Sequence, residues 1–153
     1  GKDEESINFA SMVHGIHAAG IRENPLQIVG FRGFTTYVYD ENTVHYPGNL
    51  ANCVACHNDS GYTLPLPAGV LGTTIDTGVD LESPVDDTVI TPTTSACSSC
   101  HDGSEAAAHM TANGGSFDTS QEAIDSGEVV EQCSVCHGSG RTADVSVVHG
   151  IDN

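Results

Sequence analysis

The pentapeptide Cys-x-x-Cys-His occurs three times in this chain and limits its possible structures more than any other feature. In this motif two thiols add across the vinyl groups of one haem, and the adjoining imidazole binds the iron. The three motifs use every cysteine of the chain: Cys53, Cys56, Cys97, Cys100, Cys133 and Cys136. We therefore expect three covalently attached haems c, each with one proximal iron ligand from its own motif: His57, His101 and His137.

Two other kinds of site also use a Cys-x-x-Cys pair. A zinc knuckle combines two such pairs into one four-ligand site, so three pairs would leave one without a partner. A redox dithiol does not need a histidine after its second cysteine. The histidine follows in all three copies, which favours haem attachment over either alternative.

The composition predicts a small domain with a thin protein core. The chain has 153 residues, 38% of them hydrophobic, with 5% aromatic residues and no tryptophan. Haem is a large apolar body, so three haems would supply much of the missing interior. We expect a single trihaem domain over residues 1–153, mostly irregular, with a few short α-helices and a minor β-hairpin, organised by haem and largely unfolded without it.

The net charge of −17, from 21 acidic and 4 basic residues, makes nucleic acid and anionic lipid poor partners. No apolar stretch is long enough to span a membrane. Covalent haem is attached outside the cytoplasmic membrane, so we expect an exported protein that is extracellular or at the cell surface, with the periplasm as the alternative.

Hydrophobic periodicity and turn residues predict the local structure. Residues 7–19 repeat apolar side chains at helical spacing, with Ser6 as the cap and Gly20 at the end. Two short strands, Leu26–Phe31 and Phe34–Asp40, are expected around the turn at Arg32 and Gly33. The remaining expectations are an extended loop over 61–95, a helix over 104–113, a helix over 120–137 with a break at Gly127, and an edge strand over 144–149.

Five histidines remain once the proximal ligands are assigned, and three irons need at most three further ligands. His14 and His17 lie three residues apart on the first helix, so both project from one side. His109 follows the second motif, His149 follows the third, and His45 lies near the first. We expect His45 to be an ordinary surface residue. The four others are candidate distal ligands, and the sequence does not assign them to particular haems.

Several longer motifs surround the haem motifs: Asn8-Phe9-x-x-Met12-Val13-His14-x-Ile16-His17, Tyr46-Pro47-x-x-Leu50-x-Asn52-Cys53, His109-Met110-x-x-Asn113-Gly114-Gly115 and Asp144-Val145-x-x-Val148-His149. Together they resemble the multihaem module of the outer-surface decahaem cytochromes of the OmcA/MtrC type, over nearly the whole chain. The resemblance implies bis-histidine haems and the transfer of respiratory electrons to extracellular acceptors such as metal oxides, flavins and electrodes. By motif, it places family histidines at His14, His17, His109 and His149.

The chain departs from that family, whose members carry ten haems in two modules separated by β-barrel domains. A three-haem unit could rebuild a long conduit by polymerising, as small nanowire-forming multihaem cytochromes do, with a spare histidine at the subunit boundary. We therefore expect an electron-transfer protein rather than an enzyme, whose partners are other copies of itself and redox-protein donors. The alternatives are a diffusible electron shuttle, a small reductase with one open iron and a haem-based sensor. Non-specific reduction of metals or flavins at an exposed haem edge is compatible with an electron-transfer protein, since it requires no catalytic residue.

Overall fold

A computed structural model of the chain describes residues 6–30, 35–58, 61–76, 82–83 and 87–151. Within these residues it contains short helices and two small antiparallel sheets, joined by irregular segments. The helices are α1 (Phe9–His17), α2 (Pro92–Ser98), α3 (Ser104–Ala112), α4 (Gln121–Asp125), α5 (Ser134–His137) and α6 (Val145–Val148). The strands are β1 (Leu26–Val29), β2 (Thr36–Tyr39), β3 (Thr73–Ile75) and β4 (Thr88–Ile90). This agrees with the expected class of mostly irregular fold with short helices and a minor hairpin.

The first helix is shorter than the expected span of 7–19. It begins at Phe9 because the side chain of Asn8 accepts hydrogen bonds from the backbone N–H groups of Ala10 and Ser11, at 3.0 and 3.4 Å. The prediction that Ser6 caps this helix is wrong, since its hydroxyl instead accepts from the N–H of Asn8. The helix ends at His17, before Gly20.

Strands β1 and β2 pair in antiparallel register, from Leu26 opposite Tyr39 to Val29 opposite Thr36. Both are shorter than the sequence predicts, and the turn at Arg32 and Gly33 lies outside the described residues. The second hairpin was not expected. It pairs β3 with β4 inside the stretch 61–95 that was predicted to be an extended loop, so that prediction is wrong for these strands. The loop prediction is also wrong for α2. This helix begins with Pro92, and the first turn of a helix is a favourable position for proline.

The expected helix over 120–137 breaks at Gly127, as predicted, because this residue adopts a left-handed conformation with φ +76. The result is two short helices, α4 and α5, and only the expectation of helix between them needs correction. The expected edge strand over 144–149 is the helix α6. It forms because the Asp144 carboxylate accepts a hydrogen bond from the N–H of Ser146 at 2.8 Å.

Helix α3 ends with a Schellman motif that positions the residues after it. The N–H of Gly115 donates to the carbonyl of Met110 at 2.9 Å, and the N–H of Gly114 donates to that of Thr111 at 3.2 Å. Gly114 has φ +81, where a side chain would be strained. The helix spans Ser104–Ala112, which is within one residue of the range expected from its alanine-rich sequence.

The buried core of the described residues is small and rich in hydroxyl groups. Its largest fully buried side chains are Thr73, Thr91 and Thr94. The hydroxyl of Ser11 in α1 forms hydrogen bonds of 2.9 Å with the hydroxyls of Thr73 in β3 and Ser95 in α2. The hydroxyls of Thr73 and Ser95 also form a hydrogen bond with each other. Large apolar side chains are at the same time exposed, among them Phe9, Leu71, Val135 and Val147. Within the described part of the chain, protein side chains alone therefore bury little apolar surface.

An ion pair fixes the segment after α1 against the second Cys-x-x-Cys-His motif. The Asp102 carboxylate accepts hydrogen bonds from the N–H groups of Glu23 and Asn24 at 2.9 and 2.8 Å, and lies 3.4 Å from the Arg22 guanidinium. Arg22 also donates to the carbonyl of Ser99 at 2.7 Å. None of the helices in the described residues is long and apolar enough to cross a membrane.

Replacing Asp102 with Asn should destabilise the haem-loaded protein by about 2 kcal/mol at pH 7, because a charged acceptor of several hydrogen bonds is lost. Burial opposes ionisation of Asp102, but bonds from Glu23 and Asn24 and the charge of Arg22 lower its pKa overall. Its contribution is therefore present above the pKa of an unfolded aspartate, about 4, and is lost as the pH falls through the lower folded value.

The difference between wild type and Asp102→Asn should thus shrink at acidic pH. Guanidinium unfolding followed by circular dichroism at pH 7 and pH 3 measures it. The exposed Glu41→Gln is the matched control for the loss of one negative charge. Equal stability of Asp102→Asn and Glu41→Gln at pH 7 would contradict the role of the ion pair.

Candidate haem sites

The three Cys-x-x-Cys-His motifs each lie on a short turn of helix. The first begins a 3-10 turn over Cys53–Ala55, the second continues from the end of α2, and the third coincides with α5. In all three, the N–H of the histidine donates to the carbonyl of the first cysteine, at 2.8 or 2.9 Å. This bond closes one helical turn, so the two cysteines and the histidine of each motif share a compact local geometry.

Each motif histidine faces a histidine from another part of the chain. The ring centroids are 5.8 Å apart for His14 and His57, and 6.0 Å apart for both of the other pairs. The other pairs are His101 with His149 and His109 with His137. Six of the eight histidines therefore meet in three pairs, and every pair contains one proximal and one candidate distal ligand.

The spacing within the pairs fits two imidazoles bound on opposite sides of one metal ion. With metal–imidazole bonds of about 2 Å, and about 1.1 Å from a ring nitrogen to the ring centre, such a pair has centroids roughly 6 Å apart. The described residues contain no group of three or more histidine, cysteine or acidic side chains placed to hold a metal ion. Two ligands per site suit an iron whose four other ligands come from a porphyrin, and they do not suit a structural zinc ion.

Two of these histidines are held in the tautomer that an iron ligand needs. The Nδ1 atom of His137 lies 2.9 Å from the carbonyl of Ala143, and that of His149 lies 2.9 Å from the carbonyl of Val145. A carbonyl can only accept, so Nδ1 donates in both cases and Nε2 of the neutral ring keeps a free lone pair.

His14 differs from these two, because its Nδ1 is buried and has no hydrogen-bond partner. Burial, followed by the charges of His57 and His17, lowers the pKa of His14. The ring is therefore neutral at physiological pH, as a metal-binding imidazole must be.

Four of the six cysteine thiols have a raised pKa: Cys53, Cys97, Cys100 and Cys133. All six are free of disulfide bonds. Burial, with smaller contributions from Cys133, Glu131 and Cys100, raises the pKa of Cys97 to about 11, and burial also raises that of Cys53, Cys100 and Cys133. A reactive redox cysteine needs a lowered pKa instead.

The thiols also reveal which motifs are neighbours. Besides burial and the charge of Arg22, the ionisation of Cys100 is influenced by Cys53, while that of Cys97 is influenced by Cys133. The second motif therefore has one cysteine near the first motif and its other cysteine near the third. Both of its cysteines are half-buried, whereas Cys56 and Cys136 are exposed.

His17 and His45, the other two histidines, lie apart from these pairs. His17 is exposed and contacts the ring of Tyr46, with centroids 5.3 Å apart. Both histidines line an open cleft of about 490 Å³ that also includes Ile21 and Leu50. The structure thus separates His17 from its neighbour His14 on the same helix, a distinction that the spacing of three residues could not make.

A second cleft, of about 380 Å³, lies beside the third motif. Its walls are mostly apolar, and Cys133 and Ser134 of the third motif lie on them. The remaining lining is Leu64, Pro65, Leu66, Pro67, Val70, Thr91, Pro92, Thr93, Ile124, Val129, Val130 and Glu131. An apolar wall beside an attachment cysteine fits the face of a porphyrin. This cleft is not apparent from the sequence, because its walls come from four separate segments.

Short irregular elements, paired imidazoles and an apolar cleft beside a motif cysteine are the features of a small multihaem cytochrome of the c type. The chain belongs to the family of outer membrane cytochromes described as MtrC/MtrF-like, domains II/IV, whose family model matches residues 1–150. No curated protein matches the chain. Membership identifies the protein as a multihaem cytochrome with covalently bound haem, involved in extracellular electron transfer, and it confirms the resemblance noted from the motifs.

Proposed function

We propose that the chain binds three haems c in a row, and that it conducts electrons from the first to the third outside the cytoplasmic membrane. The observation that carries this proposal is the pairing of each motif histidine with a different second histidine, at 5.8 or 6.0 Å. When bound, the haem irons supply the one-electron chemistry by cycling between the ferric and ferrous states.

The protein would hold each iron through one proximal and one distal imidazole. His57 with His14 would serve the first motif, His101 with His149 the second, and His137 with His109 the third. Two strong axial ligands keep iron low-spin in both redox states, so little has to rearrange when an electron moves. A ligand on both sides also leaves no open position for a substrate, which favours electron transfer over a small reductase.

The cysteine environment supports a linear order in which the second haem is central. Burial has the largest effect on the raised pKa of both Cys100 and Cys97, but Cys53 of the first motif also contributes at Cys100 and Cys133 of the third contributes at Cys97. The exposed cysteines, Cys56 and Cys136, belong to the two outer motifs. Electrons would therefore enter at one outer motif and leave at the other.

Replacing His149 with Ala tests this ligand assignment. The variant should convert one haem of three from low-spin to high-spin iron that binds carbon monoxide, because the second motif loses its distal ligand. Haem content by mass spectrometry and optical spectra with and without carbon monoxide measure the change.

His45→Ala is the matched control, since it removes an exposed imidazole outside the three pairs. It should leave all three haems low-spin, and His17→Ala should do the same in the monomer. If His149→Ala keeps three low-spin haems, or if His45→Ala creates a high-spin haem, the assignment is wrong.

We further propose that copies of this chain associate end to end and form a longer conduit. Both outer motifs carry an exposed apolar side chain between their cysteines: Val54 is 53% exposed and Val135 is 65% exposed. His17 lines the open cleft with Tyr46 and remains available to a neighbouring copy. A repeated contact between two different ends does not close on itself and therefore gives a filament.

Negative-stain electron microscopy of the haem-loaded protein tests this association. Wild-type protein should form filaments, and Val135→Glu should disperse them, because it buries an additional negative charge at a junction of acidic chains. Val38→Glu is the control, since Val38 is exposed on the hairpin β1–β2. Dispersed wild-type monomers would contradict the filament and favour a diffusible shuttle, while the three bis-histidine haems would be unaffected by that result.

A further inference from the structure

Glu131 is a half-buried acidic residue that lies between the second and third haem motifs. After burial, which has the largest effect, its charge raises the pKa of Cys133. Its charge also contributes, after burial and Cys133, to the raised pKa of Cys97. The carboxylate is therefore close enough to act electrostatically on attachment cysteines of two different motifs.

Four hydrogen bonds fix the Glu131 carboxylate in place. It accepts from the N–H of Thr93 at 2.8 Å, from the N–H of Thr94 at 2.7 Å, and from the hydroxyls of Thr91 and Thr94 at 2.7 Å each. These donors surround the first turn of α2, whose end carries Cys97. Because the helix N-terminus and the threonines favour negative charge there, Glu131 acts as a capping residue supplied from a distant part of the chain.

The hydrogen bonds keep Glu131 charged at neutral pH. Burial opposes ionisation, but the bonds from Thr93, Thr91 and Thr94 outweigh it and lower the pKa of the carboxyl group. Glu131 also lines the apolar cleft beside Cys133, where it is the single charged side chain among the described lining residues. A charge at an apolar wall acts more strongly on its neighbours than one in water.

We infer that Glu131 sets the reduction potentials of the haems attached at the second and third motifs, making both more negative relative to the haem at the first motif. The inference rests on the proposed function, since it presumes a haem at each motif. A fixed negative charge favours the ferric state, which carries one more positive charge than the ferrous state. Glu131 would not touch an iron, so its role is electrostatic and not that of a ligand.

Hydrogen bonds to the axial histidines should also make the potentials of the second and third haems more negative. His149, paired with the second motif, and His137, of the third, donate Nδ1–H to backbone carbonyls, which makes an imidazole a stronger electron donor and favours ferric iron. His14, paired with the first motif, has no hydrogen-bond partner at its buried Nδ1. The distal ligand of the first haem, His14, therefore lacks the hydrogen bond that strengthens His149, the distal ligand of the second.

A redox titration of Glu131→Gln, followed by electron paramagnetic resonance, tests the inference. The angle between the two axial imidazoles governs the anisotropy of the low-spin ferric signal. The angles here are 24° for His14 and His57, 55° for His101 and His149, and 87° for His109 and His137. The three haems should thus be distinguishable, and their midpoint potentials can be followed separately at pH 7.

We expect the midpoint potentials of the second and third haems to become more positive, while that of the first haem stays nearly unchanged. The difference in potential between the first haem and the other two should therefore become smaller. The control is Glu128→Gln, which removes the same charge from an exposed residue of the same segment. Glu131→Asp retains the negative charge but weakens the cap of α2, so it separates the effect of the charge from the effect of the cap. The haem potentials of this variant should lie closer to those of wild type than the potentials of Glu131→Gln do.

Three equal shifts in Glu131→Gln, no shift, or the same shifts in Glu128→Gln would overturn the inference. So would a Glu131→Asp variant whose potentials match those of Glu131→Gln, because loss of the cap would then be the cause. Failure of the proposed function is a separate outcome, seen as fewer than three low-spin signals in the wild-type protein.

Discussion

The contacts between paired imidazoles are the interaction on which the rest of this structure depends. They join the first helix to the first motif, the C-terminal helix α6 to the second motif, and α3 to the third. The last two contacts cross: His109 follows the second motif and meets the third, while His149 follows the third and meets the second. The two motifs consequently form one unit, because neither completes its pair without the segment that belongs to the other.

The protein core explains why such contacts are needed. The largest fully buried side chains among the described residues are threonines. The cluster of Ser11, Thr73 and Ser95 joins α1, β3 and α2 by hydrogen bonds. Burying hydroxyl groups contributes little net stability, since each bond replaces one to water. Exposed apolar residues such as Phe9 and Leu71 meanwhile provide surface that a large apolar cofactor could cover. Covalent attachment would also restrict the unfolded chain, much as a disulfide does.

The chemistry of this chain is more predictable from its sequence than its local structure is. The motif fixes which cysteines and histidines belong together, because its spacing is itself the geometry of one helical turn. The alanine-rich helix over 104–112 follows from propensity alone. Val145, Val147 and Val148 favour a strand, so the sequence predicts one where the structure has helix α6, because the cap from Asp144 decides the conformation. The pair β3–β4 and the contact of Glu131 with α2 could not be predicted, since both depend on residues that are distant in the chain.

The two histidines that donate to backbone carbonyls show how the fold itself controls ligand strength. The acceptors for His137 and His149 are the carbonyls of Ala143 and Val145, which no side-chain substitution removes and no change of pH titrates. Ligand basicity at the proposed second and third haems is thus determined by backbone geometry, through the segment after the third motif and the helix α6. Glu131 differs in kind, because its charge is a side-chain property that one substitution can remove while the axial ligands stay in place. A difference in reduction potential between the first haem and the other two would then have two contributions. One comes from backbone hydrogen bonds and is constant, and the other comes from the charge of Glu131 and can be changed by substitution at that single position.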